Sequence, residues 1–579
     1  MPSGATLHLS HFYLYFDGAL DSEMQDDLLS VTIESSLHLP DTATLVLNDP
    51  NLKWVDHAKV MPGKQLKIQA ESGAGPATIF EGELVELEPH YAPEGMKLTI
   101  RGFDKMHRLT RGRFVKSYVD VKDSDIMKKI IEGAGLQEKV TETSVIHKHV
   151  LQANQTNFEF LRDRAAALGY FMYAEGDKIH CEPPPSGSVE IELQWHQNLS
   201  DFRPRLSTVG MVSEVNVRGW DPKNKQVITA TQNRGQGAPK IGVSQNGSDV
   251  ARAAHNVNAT FLVNDPLPRD TAAATVLAKA VADRLIGHFV EADGTCGGDP
   301  KLLAGQKVKI SRVGTRFSGE YFVTSATHIF QQALGYITHF SVSGQNPSSL
   351  LSSLGNRHEY RAVPSIAVAI VTDNQDPENM NRVKVKYPAY SDNDSSYWAR
   401  IATPSAGKER GFQFLPEVED EVLVAFEQGD INQPYVIGSL WNGKDTPPQP
   451  ASDAKDKRMI RSRSGHVIIL DDTDGAEKII IKDKTGSNIV QIDSSSNEMK
   501  ISMEGETKIL AKGKISLESQ QDISIKATNG VKIEGMDVEV KGQTGVKVSG
   551  LQVDVKADVA LQLQGGATAE LKAAIVKIN

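Results

Sequence analysis

From Met499 onward the chain repeats a short apolar motif at an almost fixed stride. Ile501, Ile509, Leu517, Ile525, Ile533, Val540, Val548, Val555, Leu563, Leu571 and Ile578 follow one another at steps of 8, 8, 8, 8, 7, 8, 7, 8, 8 and 7 residues. Many have an apolar partner two residues earlier: Ile515 with Leu517, Ile523 with Ile525, Val531 with Ile533, Val546 with Val548. Polar residues lie between and after them, as Lys532 and Glu534 or Glu539 and Lys541 do, so the local period is two and each unit is a short strand. Gly505, Gly513, Gln520 and Gln521, Asn529 and Gly530, Gly542, Gly550, and Gly565 and Gly566 separate the strands. Residues of this kind let a chain turn a corner between strands.

One such strand buries about two side chains, too few to offset backbone ordering at roughly 1–2 kcal/mol per residue. Repeats stacked on one another share a continuous core instead. Either one chain coils as a solenoid, or three identical chains wrap one axis and each octad supplies a strand to one face of a prism. Eight residues are short for a whole solenoid turn and suit a third of a turn, so the expected form is an intertwined triple-stranded β-helix in a homotrimer. Its core would be Ile501, Ile509, Leu517, Ile525, Ile533, Val540, Val548, Val555, Leu563 and Leu571. At ~4.7 Å between strands, about ten octads would build a prism roughly 50 Å long, apolar inside and striped with Lys and Glu outside.

A chain of 579 residues has room for several domains. Its formal net charge of −10 disfavours nucleic acid or an anionic membrane as a generic partner. Cys181 and Cys296 match no metal spacing and are expected to be free buried thiols of a protein assembled in a reducing compartment. The opening MPSGATLHLSHFYLYF has no basic start followed by an apolar core, so no signal peptide is expected. No stretch reaches the ~18 apolar residues of a membrane span.

The first 345 residues are expected to be mixed α+β, mainly strands with a few helices. Residues 28–47 alternate twice about a Pro40, Asp41 turn, as a hairpin does. Residues 123–133 form a short amphipathic helix with Asp123 or Ser124 as its cap. Thr156 and Glu159 make a capping box for a second helix that Gly169 ends, and 272–289 is an alanine-rich third. Residues 346–362 are expected as a linker, and 363–445 as a small barrel of the OB type, with strands at 366–372, 382–387, 398–401, 421–426 and 435–439. A second linker at 446–460 precedes the spike, 461–579.

The barrel carries the most specific pattern. Asn381, Arg382, Val383, Lys384 and Val385, then Trp398-x-Arg400-Ile401, Gly411-Phe412-x-Phe414-Leu415-Pro416, Glu421-Val422, Gly429-Asp430 through Pro434, and Ile437 to Leu440 resemble the OB-fold of VgrG-type spike proteins of contractile injection systems. That family is similar to the hub and spike of phage T4-like tails. Arg461-Ser462-x-Ser464-Gly465-His466 with Asp471 and Asp472 resembles the start of the family's needle. Arg101 to Asp104 through Leu109-x-Arg111, and Gln155 through Phe160 and Leu161 to Gly169 and Tyr170, resemble its phage-hub domain, built of β-barrel-like modules. The resemblance implies a structural spike-hub that joins an inner tube to a membrane-puncturing tip and pierces a target envelope on sheath contraction. It implies a PAAR-type tip protein, here placed on Ile575, Val576, Lys577, Ile578 and Asn579, together with inner-tube and baseplate proteins and cargo or effectors. The charge and the motifs point to no nucleic acid, cofactor, metal or catalytic residue, and the target membrane is expected to be met only on puncture. The particle would assemble in the cytoplasm and be exported or released. Type VI secretion, an extracellular particle and a phage tail all fit; the opening lacks a Phe-Ser-x-x-Phe start, which favours the extracellular particle.

Residues that suggest other chemistry fall short of it. Gly63-Lys64 and Gly407-Lys408 lack a nucleotide-binding frame, and His358-Glu359 has no second histidine at metalloprotease spacing. His147-x-His149 is expected as a pair of surface histidines. Asp471, Asp472, Asp474 and Gly475 lack an EF-hand register and are expected to turn between two strands. Lys457, Arg458, Arg461 and Arg463 form a basic collar or a ring of salt bridges in a trimer. Phage relatives place a cell-wall-cleaving domain between barrel and needle, and the gap from Gly443 to Arg461 is too short for one. The rival readings are a cell-wall hydrolase and a β-helical adhesin or tail-fibre glycan-binding protein.

Overall fold

The computed structural model describes residues 11–578 except 73–74, 210, 222–223, 225, 234–238, 244–245, 256–258, 264–267, 269, 333, 344–365 and 392. The expected linker 346–362, the pair His358 and Glu359, and Asn579 lie outside the described residues. The chain divides into two units, Met1–Pro447 and Pro448–Asn579.

In the first unit an eleven-stranded sheet, antiparallel throughout, is assembled from distant parts of the sequence. Leu28–Ser36 pairs with Thr42–Asn48 about the Pro40, Asp41 turn, setting Val31 opposite Leu45 and Ile33 opposite Ala43. Those four side chains are fully buried, as alternation along a one-sided sheet requires. On one side the sheet continues through Gly95–Asp104 and Gly75–Ala92; on the other it continues through Ser325–Gln331, Gly335–Ser343 and Val290–Gly297. Each half closes over its own core, one centred on Leu14, Ile33, Trp54, Leu66 and Ile100, the other on Leu193, Val308, Ile310, Tyr321 and Phe340. Gly82 sits where the sheet is tight: a Cβ there would collide with the Phe103 carbonyl oxygen and lie 2.7 Å from the Phe80 ring.

The expected helices form at Asp123–Gly133, Asn157–Leu168 and Thr271–Gly287. At the second, the Thr156 hydroxyl accepts from the Glu159 N–H and the Glu159 carboxylate accepts from the Thr156 N–H, both at 3.0 Å. Gly169 then ends it in the left-handed region. The first helix is capped one residue earlier than expected, at Lys122. Helices Asp123–Gly133 and Asn157–Leu168 share a third core with Met172, Ile179 and Cys181. Both cysteines are free and buried, and burial pushes each thiol up to about 12.

The barrel follows the alternation of its sequence. Ile366–Asp373, Lys384–Lys386, Arg400–Ile401, Glu421–Phe426 and Pro434–Ser439 make a five-stranded sheet. Single bridges from Val383 to Ala399 and from Lys386 to Ser395 join its two ends into a closed barrel. Ala369, Val371, Val383, Val385, Val422 and Val424 fill the inside, all fully buried. One filler comes from far upstream. The ribbon of Phe114–Lys122 against Ile146–Gln155 places Leu151 in the barrel core, and the Leu151 N–H donates to Asn432 Oδ1 at 2.8 Å. Beside it Asp394 accepts from the Ser117 N–H at 2.9 Å and the Ser117 hydroxyl at 2.7 Å. The first unit thus takes in both the hub and the barrel.

Candidate functional site

The second unit holds the surfaces with the most chemistry to account for. Five consecutive strands, Lys457–Arg461, Val467–Asp471, Lys478–Lys482, Ile489–Asp493 and Glu498–Ser502, pair antiparallel in sequence order. The first begins inside the 446–460 segment expected as a linker, which also carries a short helix at Ala451–Ala454. Register sorts the side chains into two unlike faces. On one face Ile460, Ile468, Ile481, Val490 and Ile501 stand in a row across the strands, beside a second row of Leu470, Ile479, Ile492 and Met499. On the other face a charged row of Lys457, Asp471, Lys478, Asp493 and Glu498 crosses the sheet. There Lys478 pairs with Asp493 at 3.3 Å and Lys457 with Asp471 at 4.0 Å. This face, apolar apart from Arg458 opposite Leu470, is the open one: Ile468, Ile481, Met499 and Ile501 are 42%, 50%, 63% and 57% exposed, whereas Val467 and Ile469 on the other face are buried. Nine such side chains side by side exceed the scattered apolar residues of an ordinary surface.

Beyond Ser502 the described residues lie in no helix or strand of their own chain. The backbone bends at 504–505, 512–513, 520–521, 528–529, 536–537, 543–544, 551, 558–559, 566–567 and 574, the same seven- and eight-residue stride as the apolar series. Ile509, Leu517, Ile525, Ile533, Val540, Val548, Val555, Leu563 and Leu571 all project into solvent at 67–77% exposure. Their partners two residues earlier, from Ile515 to Leu561, are 52–57% exposed. Lys532 pairs with Glu534, and Lys508 with Glu506 at 2.9 Å; such neighbours two apart share the face opposite the apolar couple. Ile501 belongs to both patterns, closing the apolar row of the sheet and opening the octad series. Ile575, Val576, Lys577 and Ile578 are likewise exposed.

The sheet rows 460–499 were not among the core residues expected from the octad series. Their signal is present as couples of the same i, i+2 kind, Ile468 with Leu470, Ile479 with Ile481, Val490 with Ile492, and Met499 with Ile501. Here they are spaced 11, 11 and 9 residues, the stride of hairpins rather than octads.

Elsewhere the candidate groups are engaged in structure. Asp471 ends its strand by accepting the Thr473 hydroxyl at 2.6 Å, the expected turn, and Asp483 and Asp493 do the same with Thr485 and Ser495. Arg458 pairs with Asp472 within the chain. The expected surface histidines are not both at the surface: His149 is buried, its Nε2 2.9 Å from the Ser395 carbonyl, and His147 lies 2.7 Å from Asp123, which Arg164 also pairs. The reason is tertiary, since the strand that carries them is the one that docks on the barrel. In the hub motif, Asp104 accepts the Asp41 N–H at 2.7 Å and the Met106 N–H at 2.8 Å, and burial pushes its carboxyl up to about 7. Glu83 binds Arg108 and His107, and the Arg108 guanidinium holds its carboxylate at about 2. No group of three or more metal-ligating side chains occurs among the described residues.

Comparison with known proteins places this architecture. Residues 9–332, more than half the chain, match the family model of the Alg8 N-terminal domain. The chain belongs to that family. In this Alg8-type protein, residues 367–441 match a second family, the type VI secretion system/phage-baseplate injector OB domain, over the closed barrel. Among curated proteins it is 28% identical over 201 residues to the type VI secretion system spike protein VgrG1a of Pseudomonas aeruginosa, covering 30% of this chain and 31% of the relative. It is 26% identical over 204 residues to VgrG3 of Vibrio cholerae, covering 32% and 20%. The matched segment thus spans at most about a third of those relatives. A chain of the Francisella PdpA-VgrG complex shares the fold at a TM-score of 0.52 and 9% identity, over 86% of this chain and 81% of that one. The resemblance to VgrG-type spike proteins drawn from the barrel motif is borne out, as is the OB barrel.

Proposed function

We propose that this protein is the structural spike and hub of a contractile injection system, working as a homotrimer whose C-terminal repeats form a triple-stranded β-helix. The observation that carries the reading is the octad series, apolar couples at a stride of seven or eight residues that find no cover in their own chain. Two further copies, each contributing the same stripe, turn that exposed line into a closed apolar axis with Lys and Glu outside. Three braided chains resist bending, because any bend has to break strand pairing in all of them at once. The work comes from sheath contraction, and the role is mechanical rather than catalytic. The hub would engage inner-tube and baseplate proteins, Ile575, Val576, Lys577, Ile578 and Asn579 would seat a PAAR-type tip protein, and cargo or effectors would travel with the particle. Assembly would take place in the cytoplasm before export or release; no helix among the described residues is long and apolar enough to cross a membrane.

The test is the solution mass of the purified full chain. The expected result is three times the 63.1 kDa of one chain, persisting in mild detergent. A stable monomer overturns the reading. Clearing of peptidoglycan in a zymogram would instead favour the hydrolase, and glycan-array binding the adhesin.

A further inference from the structure

We infer that the apolar face of the five-stranded sheet 457–502 is the surface on which three copies of this chain first associate, and that it fixes the register in which their octads then pair. This rests on the trimeric reading above. The octads alone define register poorly. From Ile501 to Ile533 every step is eight residues, so a chain displaced by one octad sets Ile against Ile or Leu and keeps the apolar line filled. Strand pairing is weakly specified wherever a shift returns the same pattern. The first interruptions are the seven-residue steps at Val540 and Val555, dozens of residues into the series.

The sheet has what the octads lack. Its strands are hydrogen-bonded within one chain, so both apolar rows stand ready before any partner arrives. Its couples are spaced 11, 11 and 9 residues, so a shift that matches the first two intervals fails at the third. Nine side chains about half exposed leave on the order of 700 Å² of apolar surface per chain, near the ~800 Å² per partner of a standard protein interface. The occupant is another copy of this chain because the row ends on Ile501, the first member of the octad line; whatever covers one covers the other. The opposite face has less to offer a partner: Val467 and Ile469 are already buried there, and its charged row is paired as Lys478–Asp493 and Lys457–Asp471.

The test compares two full-length double variants that remove equal apolar area while keeping β-branched side chains: Ile479→Thr with Ile481→Thr in the sheet, and Ile523→Thr with Ile525→Thr in the octads. Each is refolded from denaturant, and trimer formation is followed by light scattering. Register is read in a parallel set carrying Lys532→Cys with a spin label, from the label-to-label distances. The sheet variant is expected to form trimers about tenfold more slowly and to show a second distance population. The octad variant is expected to assemble at close to the wild-type rate in a single register and to dissociate faster. Ile481→Thr alone should move both readouts in the same direction by a smaller factor, which covers a double variant that does not fold. A wild-type monomer overturns the trimeric reading and this inference together. A wild-type trimer whose sheet variants match it in rate and in distances overturns only this inference, as does a sheet variant whose sole defect is lost binding to lipid vesicles.

Discussion

Ile525→Ala separates the two environments this residue can occupy. In a single chain Ile525 is 68% exposed, and a substitution at such a site shifts stability by no more than about 0.5 kcal/mol. In the proposed trimer the same side chain would meet its two copies on the axis. The surface it now leaves in water is about 120 Å², which at ~25 cal/mol per Å² is worth about 3 kcal/mol per copy. Truncation to alanine forfeits most of that and adds a cavity that one methyl cannot fill, within the ~2–5 kcal/mol typical of buried large-to-small changes. Because three copies would change at once, the proposed assembly would lose about 6–9 kcal/mol. Calorimetry and urea dissociation of the full-length protein read the loss, with Lys526→Ala on the opposite face as the control. The expected outcome is a dissociation midpoint that drops sharply for Ile525→Ala and stays in place for Lys526→Ala. Equal, small shifts in the two variants would refute the axial placement of the octad residues.

Two further predictions concern the first unit. His328 is buried with Nε2–H donating to the Leu302 carbonyl at 3.1 Å and Nδ1 accepting from the Tyr336 hydroxyl at 2.7 Å, and burial pushes its imidazole down to about 4. Against ~6.5 in the unfolded chain, its contribution is complete above pH ~6.5 and lost as pH falls towards ~4, about 3 kcal/mol in all; the drop in urea midpoint of the hub between pH 7.5 and 4.5 should shrink in His328→Gln. Leu151→Ala should destabilise the barrel by about 2–5 kcal/mol and Asn432→Ala, which deprives the Leu151 N–H of its acceptor, by about 1–3 kcal/mol. Hydrogen exchange in Glu421–Phe426 reads both, and because the two residues touch, the double variant should cost less than the sum.

Much of this architecture could be read where local chemistry decides the outcome. The Thr156 and Glu159 capping box and the glycine that ends its helix need nothing beyond their own neighbourhood, and both formed as expected. The barrel was legible because its strands alternate about turn residues and are short enough to close. Neither the eleven-stranded order of the hub sheet nor the insertion of Leu151 into the barrel could be seen, since each joins segments hundreds of residues apart that leave no periodic trace. His149 went astray for the same cause: a histidine in a polar-looking stretch is buried only because another domain lands on it. In the second unit the octad rhythm is the stronger signal. The sheet rows before it obey the same i, i+2 rule at an irregular spacing, and a search tuned to one stride passes over them.

The ribbon that lodges Leu151 in the barrel also decides where a sudden load would run. A push on the hub reaches the barrel through packed Leu151, two hydrogen bonds to Asp394 and one to Asn432. For the barrel to turn away from the ribbon, the contacts of Ser117, Leu151, Asp394 and Asn432 would have to break together.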